Sequence, residues 1–450
     1  MRTFSTMEFN YSSMLFYKLM KASSQLTYKI PDKLSVWAEY FDLSLKHGAL
    51  NLSNGKPSIQ PPPYLLEELV EVAKNPDIHQ YTSLWGHPEL LQAVSEYYSP
   101  RFNRKLVPKE NILITPGAMA AHFDAIIGLG VQPDDEILTF APYFPQYYTQ
   151  SMMAGNVFKQ TKLKYNSETD SWEIDYDDLI QKITNKTKVI MLNSPNNPTG
   201  KNFTREELQK LSQIFKEKCP DAFIVNDCVY ESVVFDGQQH IDFATIDDNW
   251  NKTVTIYSAG KLLSCTGWKI GWLIGPENLI KACAITNEPV SFNCNTASQI
   301  AIARALKKLD NTPCFGHKNY REYVSKLFEN SCKHLYHTLS HSKLPIKPLR
   351  SESGYFLMAD ISGCKDLIDK KYFTKHDWSD DLTGIQYNKF ENRDTVPLDY
   401  AFSRWLTLEY KVAPMPGSLF YKDGEEEEIY VRFAICQSEQ FMEEVRKQLI

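Results

Sequence analysis

Between residues 111 and 257, short β-branched apolar runs alternate with stretches whose apolar residues recur at helical spacing. Strands are expected at Asn111–Thr115, Glu136–Phe140, Lys188–Leu192, Phe223–Asn226 and Thr253–Tyr257. A helix is expected from Ala118 to Leu129, directly after Pro116-Gly117. Another opens with Thr204-Arg205-Glu206-Glu207, a capping-box match, and its Leu208, Leu211 and Phe215 would pack on the sheet. Strands alternating with helices imply an α/β unit with a largely parallel sheet. After about residue 330 the texture changes, and Leu349–Asp360 and Glu428–Ile435 read as strands of a smaller α+β unit. The polar stretch 361–396 has little periodicity and is read as a surface insertion, the alternative being a flap over a site. The chain therefore divides into an extension (1–30), an arm that joins the small unit (31–55), a large domain (56–330) and a small domain (331–450).

Composition narrows the class. At 450 residues the chain is too long for one ordinary core. A hydrophobic content of 43% with 23% charged residues is that of a globular protein. The net charge of −6, with no cluster of basic and aromatic residues, argues against a nucleic-acid surface. No apolar run reaches the roughly 18 residues of a membrane helix. The nine cysteines are scattered without a CxxC pair, which disfavours a disulfide framework and a metal site and suits a reducing, cytoplasmic setting. Met1–Lys21 is basic but lacks the apolar core of a signal peptide; it reads as an arm, with a mitochondrial transit peptide as the alternative.

The candidate chemistry sits at the predicted strand ends. Lys261 follows the strand Thr253–Tyr257 within Ser258-Ala259-Gly260-Lys261-Leu262-Leu263-Ser264. Small residues and hydroxyls there can hold an amine partly desolvated, lowering its pKa so that it attacks a carbonyl. Lys269 offers a fixed cation of the kind a phosphate needs. A surface loop with two basic residues is the plainer reading of the same run. Asn193-Ser194-Pro195-Asn196-Asn197-Pro198-Thr199-Gly200 places side-chain amides where open α/β sheets bind ligands, although turn chemistry alone accounts for those residue types. Asp227 and Tyr230, after the strand Phe223–Asn226, can face a cationic ring nitrogen and a neighbouring oxygen. Thr115-Pro116-Gly117-Ala118 opens a helix whose free N–H groups suit an anion. Together these supply an amine, an acid, a hydroxyl and a phosphate cradle, the set that pyridoxal phosphate requires of a protein.

The motifs resemble those of the fold-type I, class I/II aminotransferases, and within them the kynurenine aminotransferases, also called glutamine transaminase K or cysteine-S-conjugate β-lyase. The resemblance runs from about Val36 to the C-terminus. It is carried by Tyr81-Thr82-Ser83-Leu84-Trp85-Gly86-His87-Pro88, Ala141-Pro142-Tyr143-Phe144, the Asn-Pro-Thr-Gly run, the lysine segment, Gly354-Tyr355-Phe356-Leu357 and Tyr430-Val431-Arg432-Phe433. It implies pyridoxal 5'-phosphate as cofactor, bound covalently by Lys261, with Asp227 on the ring nitrogen and Tyr230 and Asn197 on the ring oxygen. Phe144 is implied to stack on the ring. Gly117, Ala118, Ser258 and Lys269 are implied to hold the phosphate, joined by Tyr81 from the partner in a homodimer with shared sites. For substrate it implies Arg432 on the α-carboxylate, Asn197 touching substrate, and Trp37, Gly55, Phe292 and Asn293 in the pocket. Met119 stands where the family usually has Tyr, and Asn293 where a His is common; both departures fall in the pocket that selects the side chain.

The implied activity moves an amino group from an aromatic, sulfur-containing or glutamine-like amino acid, with kynurenine as a further candidate, to a 2-oxo acid by ping-pong kinetics. Lys261 would act as general base at Cα. A β-lyase using the same site and a catalytically silent protein of the same fold stand as alternatives. A nucleotide-binding oxidoreductase is disfavoured, because no G-x-G-x-x-G follows a strand.

Overall fold

The computed structural model describes residues 36–374, 395–422 and 424–450. The extension 1–30 and residues 375–394 of the polar stretch lie outside the described residues. The chain enters in the helix Val36–His47, which buries Val36, Tyr40 and Leu43 at helical spacing. It continues into the short strand β1 (Leu50–Asn51), which pairs in parallel with β12 (Val412–Ala413). The 31–55 arm is thereby tied to the C-terminal unit.

An eight-stranded sheet forms the centre. Its members are β2 (Ile112–Thr115), β3 (Glu136–Ala141), β4 (Val157–Asn166), β5 (Ser171–Ile174), β6 (Thr187–Asn193), β7 (Phe223–Asp227), β8 (Thr253–Ser258) and β9 (Gly271–Ile274). The spatial order is β2-β9-β8-β7-β6-β3-β4-β5. Strands β8, β7, β6, β3 and β4 run parallel. Strand β9 is antiparallel to both neighbours, and β5 closes the far edge as a hairpin with β4. All five expected strands are present, each within one residue of its expected limits.

Alternate residues of these strands feed two cores. Ile137, Val189, Met191 and Val225 face the larger one, which continues into the C-terminal unit through Leu357 and Phe433. Leu138, Ile190, Leu192 and Ile224 face the smaller one. The helix Arg205–Lys218 covers that second face with Leu208, Leu211 and Phe215, and Thr204 and Glu207 close the expected capping box. Each fully buried leucine there contributes about 1.5–3 kcal/mol.

The C-terminal unit is an antiparallel sheet of β10 (Lys347–Pro348), β11 (Phe356–Asp360), β13 (Met415–Pro416) and β14 (Tyr430–Ala434), ordered β10-β11-β14-β13. One expectation needs correction. The strand expected at Leu349–Asp360 begins only at Phe356, because Ser353 Oγ and Glu352 N both donate to Gly200 O (2.7 and 3.1 Å) and pull the preceding turn onto the sheet-bearing part of the chain. Residue 330, where the sequence changes texture, lies within the continuous helix Tyr320–Ser340. The start of the polar stretch is ordered as two 3₁₀ turns, with Cys364 and Tyr372 buried and Tyr372 Oη donating to Glu409 (2.8 Å).

Parallel strands bring their carboxyl ends to one edge of the sheet. Thr115, Ala141, Asn193, Asp227 and Ser258 end β2, β3, β6, β7 and β8 there, and antiparallel β9 begins there at Gly271. The residues that follow these ends build the site.

Candidate active site

Two connected chambers lie at that edge. The inner one, about 220 Å³, is lined by Gly117, Ala118, Phe144, Asn197, Asp227, Tyr230, Ser258, Lys261 and Lys269 among others. The outer one, about 260 Å³, is lined by Trp37, Asn54, Gly55, Gln146, Phe356 and Arg432. Met119, Phe144, Asn197, Tyr230 and Lys261 line both, so the two chambers meet at the lysine.

Lys261 sits in the short helical turn Ala259–Leu262 that ends β8. Its Nζ donates to Gly55 O at 3.2 Å and lies 4.9 Å and 5.4 Å from the ring centroids of Tyr355 and Tyr230. Tyr355 Oη holds the Lys261 backbone by donating to its carbonyl (2.8 Å). Burial lowers the ammonium pKa to about 8, with the Arg432 and Lys269 charges acting in the same direction. An amine near that value is unprotonated often enough at neutral pH to act as nucleophile and base.

Asp227 ends β7 and is almost fully buried. Its Oδ2 accepts from Tyr147 Oη and lies 2.9 Å from His122 Nε2, while among the described residues Oδ1 accepts only Val229 N–H at 3.2 Å. Tyr230 is buried beside it, and burial pushes its phenol up. Asn197 follows β6, its backbone N–H held by Asn193 Oδ1 at 2.8 Å. Its own Oδ1 accepts from Arg432 Nη1 at 2.9 Å.

Gly117 caps the helix Ala118–Gly128 with φ 76° and no side-chain cap, so the first N–H groups of that helix stay open. Lys269 holds a left-handed backbone (φ 54°), and its Nζ comes within 3.3 Å of the place where a Gly117 side chain would begin. Behind the cradle, a Cβ on Gly271 would lie 2.8 Å from Tyr257 O and 2.9 Å from Ala118 N, a close approach that only glycine permits.

Arg432, on β14, is fully buried. Its guanidinium lies 3.8 Å from the Phe356 ring centroid, 4.7 Å from Phe420 and 4.9 Å from Trp37. It donates to Asn197 and to Ser53 O, and among the described residues no carboxylate pairs with it. Burial lowers its pKa to about 9, which still leaves it charged at neutral pH. A buried, unpaired guanidinium on an aromatic floor is a receptor for one carboxylate.

Most of the residues singled out in the sequence thus converge. Tyr81, Phe292 and Asn293 line neither chamber of their own chain. Tyr81 is 81% exposed and packs edge-on to Phe292 at 5.2 Å. Asn293, which the resemblance implies in the pocket, uses its Nδ2 to donate to Thr82 O and Ser83 O (3.0 and 3.2 Å). Residues without an expected role also belong to the site: Tyr147 and His122 against Asp227, and Tyr355 and Phe356 around Lys261 and Arg432. Among the described residues, Cys228, His240 and Asp242 form a trio of possible metal ligands, but Asp242 already accepts from Tyr257 and lies 3.2 Å from His240 Nε2.

The arrangement fits pyridoxal phosphate. A depressed lysine faces the inner chamber, a buried carboxylate retains an acceptor position for a ring N–H, and an uncapped helix terminus and Lys269 await an anion. Sheet, lysine and cradle together define a transferase of the pyridoxal-phosphate fold type I. The chain belongs to the family "Aminotransferase class I and II", whose model matches residues 47–449. It is 33% identical over 429 residues to a kynurenine–oxoglutarate transaminase of Dictyostelium discoideum, covering 92% of this chain and 93% of that one. It is likewise 33% identical over 417 residues to kynurenine–oxoglutarate transaminase 3 of Homo sapiens, covering 90% and 85%. The N-succinyldiaminopimelate aminotransferase structure from Mycobacterium tuberculosis superposes with a TM-score of 0.78 at 26% identity, over 92% of this chain and 96% of that one.

Proposed function

We propose that this aminotransferase takes its amino group from an aromatic, sulfur-containing or glutamine-like amino acid, kynurenine among the candidates, and passes it to a 2-oxo acid. One observation carries the reading. Apart from Lys261, Arg432 is the only charged residue lining the outer chamber among the described residues, and the remaining wall is Trp37, Gly55, Met119, Phe144 and Phe356 with the amides of Asn54, Gln146 and Asn197 and the Tyr230 phenol. Such a chamber holds one carboxylate and an apolar or amide side chain; a second carboxylate would be buried without a partner, which is costly.

When bound, pyridoxal phosphate supplies an aldehyde for the amino group and a protonated ring that accepts the electrons released at Cα. The chain's residues do the rest. Arg432 fixes the α-carboxylate and so aims the Cα–H bond. Lys261 Nζ, unprotonated, removes that proton and later returns one. Asp227 would face the ring nitrogen and accept its N–H, and Tyr230 and Asn197 would serve the ring oxygen. Gly117, Ala118, Ser258 and Lys269 hold the phosphate, and Phe144 covers the ring. A homodimer with shared sites is part of the proposal, because Tyr81 is exposed beside Phe292 and has no role in its own chamber. A cytoplasmic location is supported by nine free cysteines, with mitochondria as the alternative.

Steady-state kcat/KM for phenylalanine, methionine, glutamine, kynurenine and aspartate with one common 2-oxo acid tests the reading. Aspartate should trail the best of the others by about tenfold or more, ~1.4 kcal/mol in transition-state terms. Aspartate equal to or above them all refutes the pocket assignment. The same site would also expel a good sulfur leaving group from Cβ, which thiol release from a cysteine S-conjugate measures.

A further inference from the structure

Trp37 lines the outer chamber and meets Phe420 edge-on at 6.3 Å, and the two rings lie 4.9 and 4.7 Å from the Arg432 guanidinium. Two residues on in the same helix, about 200° round its axis, stands Glu39, which is 4% exposed. Its Oε2 accepts from Tyr400 Oη and its Oε1 from Arg404 Nη1 at 3.1 Å. Arg404 is 1% exposed, and both partners lie on the helix Leu398–Glu409. That helix also holds Phe420, because Asp399 Oδ2 accepts from Ser418 N (2.7 Å) in the turn Gly417–Phe420. One helix thus anchors, through two buried carboxylates, both elements that carry these rings.

We propose that Glu39 and Arg404 are positioning residues for Trp37, fixing the indole against Arg432 and so the width of the outer chamber. A buried ion pair returns little net stability, since desolvating two charges costs about what their attraction gains. What it imposes is direction. The carboxylate is satisfied only when the helix Val36–His47 keeps one rotation and one register against Leu398–Glu409. The apolar contacts of Val36, Tyr40 and Leu43 on that helix are non-directional and tolerate a roll or a slide. A roll would carry Trp37 off the guanidinium and open the wall against which a substrate side chain packs. Neither Glu39 nor Arg404 lines a chamber, so they act through Trp37.

The inference rests on the pocket reading above. The test measures, on cofactor-loaded enzyme, kcat and KM for phenylalanine and the Kd of 3-phenylpropionate, which has the carboxylate and the ring but no amine. Glu39→Leu combined with Arg404→Met removes both charges and leaves neither unpaired. It should raise KM and Kd about tenfold, the worth of a desolvated contact between a cation and a ring, with kcat and the cofactor's visible band unchanged. Trp37→Ala should do the same, and adding it to the pair variant should raise neither constant further. Arg404→Lys, which keeps the charge, should retain most of the wild-type affinity. Wild-type constants in the pair variant, or effects that add to those of Trp37→Ala, overturn the inference. Equal losses in kcat and in cofactor binding also overturn it, because they mark general damage. Should the pair variant not fold, Glu39→Asp decides, since it keeps both charges but shortens the reach by one methylene. A rise in both constants then supports the inference, and unchanged values overturn it. A Trp37→Ala enzyme with wild-type constants overturns the pocket reading itself, a result distinct from a silent pair variant.

Discussion

Replacing Arg432 with methionine should nearly abolish catalysis while leaving the fold about as stable as before. The burial that lowers the guanidinium pKa from 12.5 to about 9 penalises the charged folded state by up to about 5 kcal/mol. The sign follows from the direction of the shift. A base whose folded pKa is depressed carries its full penalty below that pKa, so at neutral pH the penalty is present, and it fades only as pH rises above about 9. Methionine removes it, but leaves Asn197 Oδ1 and Ser53 O without their donor, at about 1–3 kcal/mol each. The two effects cancel to within a few kcal/mol. Catalysis has no such offset: two hydrogen bonds between charged groups, about 1.5–3 kcal/mol each, leave the substrate carboxylate. That predicts a fall in kcat/KM of about 10²–10⁴. Transamination is followed by 2-oxo acid release, and folding by thermal melting. An amine lacking the α-carboxylate should react equally well with both proteins, and the melting point should move by less than about 5 °C. A loss below tenfold, an equal loss with the carboxylate-free amine, or a collapse of the melting transition would each refute the assignment.

Two further outcomes follow from the same geometry. The rate at which cofactor-free protein takes up pyridoxal phosphate should rise with pH and level off above a midpoint of about 8, because only the unprotonated Lys261 attacks and its pKa is depressed; a rate still climbing to pH 10.5 contradicts the burial argument. Gly271→Ala places a methyl against Tyr257 O and Ala118 N. It should cost about 1–3 kcal/mol in a denaturant melt and weaken cofactor binding, and wild-type values for both would show that the cradle tolerates the atom.

The strands that carry the site were legible because parallel strands covered on both faces read as short apolar runs, and a polar residue just past such a run stands at the sheet's active edge. Lys261, Asp227, Tyr230, Asn197 and Gly117 were found in that way; Phe144, Trp37 and Arg432 came from resemblance. Strand β4 escaped notice. It lies near the sheet edge, where Lys159, Lys162 and Lys164 interrupt its apolar residues and Gln160 is buried by bonds to Lys422 N and Glu425 O. His122 carried a usable signal: it lies one helical turn beyond Ala118 in the helix Ala118–Gly128 and so shares its face, whereas Tyr147 follows Phe144 across the start of the helix Gln146–Met153. Tyr355 and Phe356 stood inside a recognised motif but had no role, because their contacts with Lys261 and Arg432 arise only when the C-terminal unit closes on the sheet. No local pattern shows in which chain's site an exposed Tyr81 acts, nor that the Asn293 amide is taken by loop carbonyls.

The account turns on one covalent bond, and borohydride reduction of the purified, pyridoxal-phosphate-loaded protein tests it most directly. Reduction should fix one phosphopyridoxyl group per chain, and peptide mapping should place it on Lys261. Addition of phenylalanine before the borohydride should release Lys261 from the label. A label on Lys269 or another lysine, or none on Lys261, contradicts the central claim.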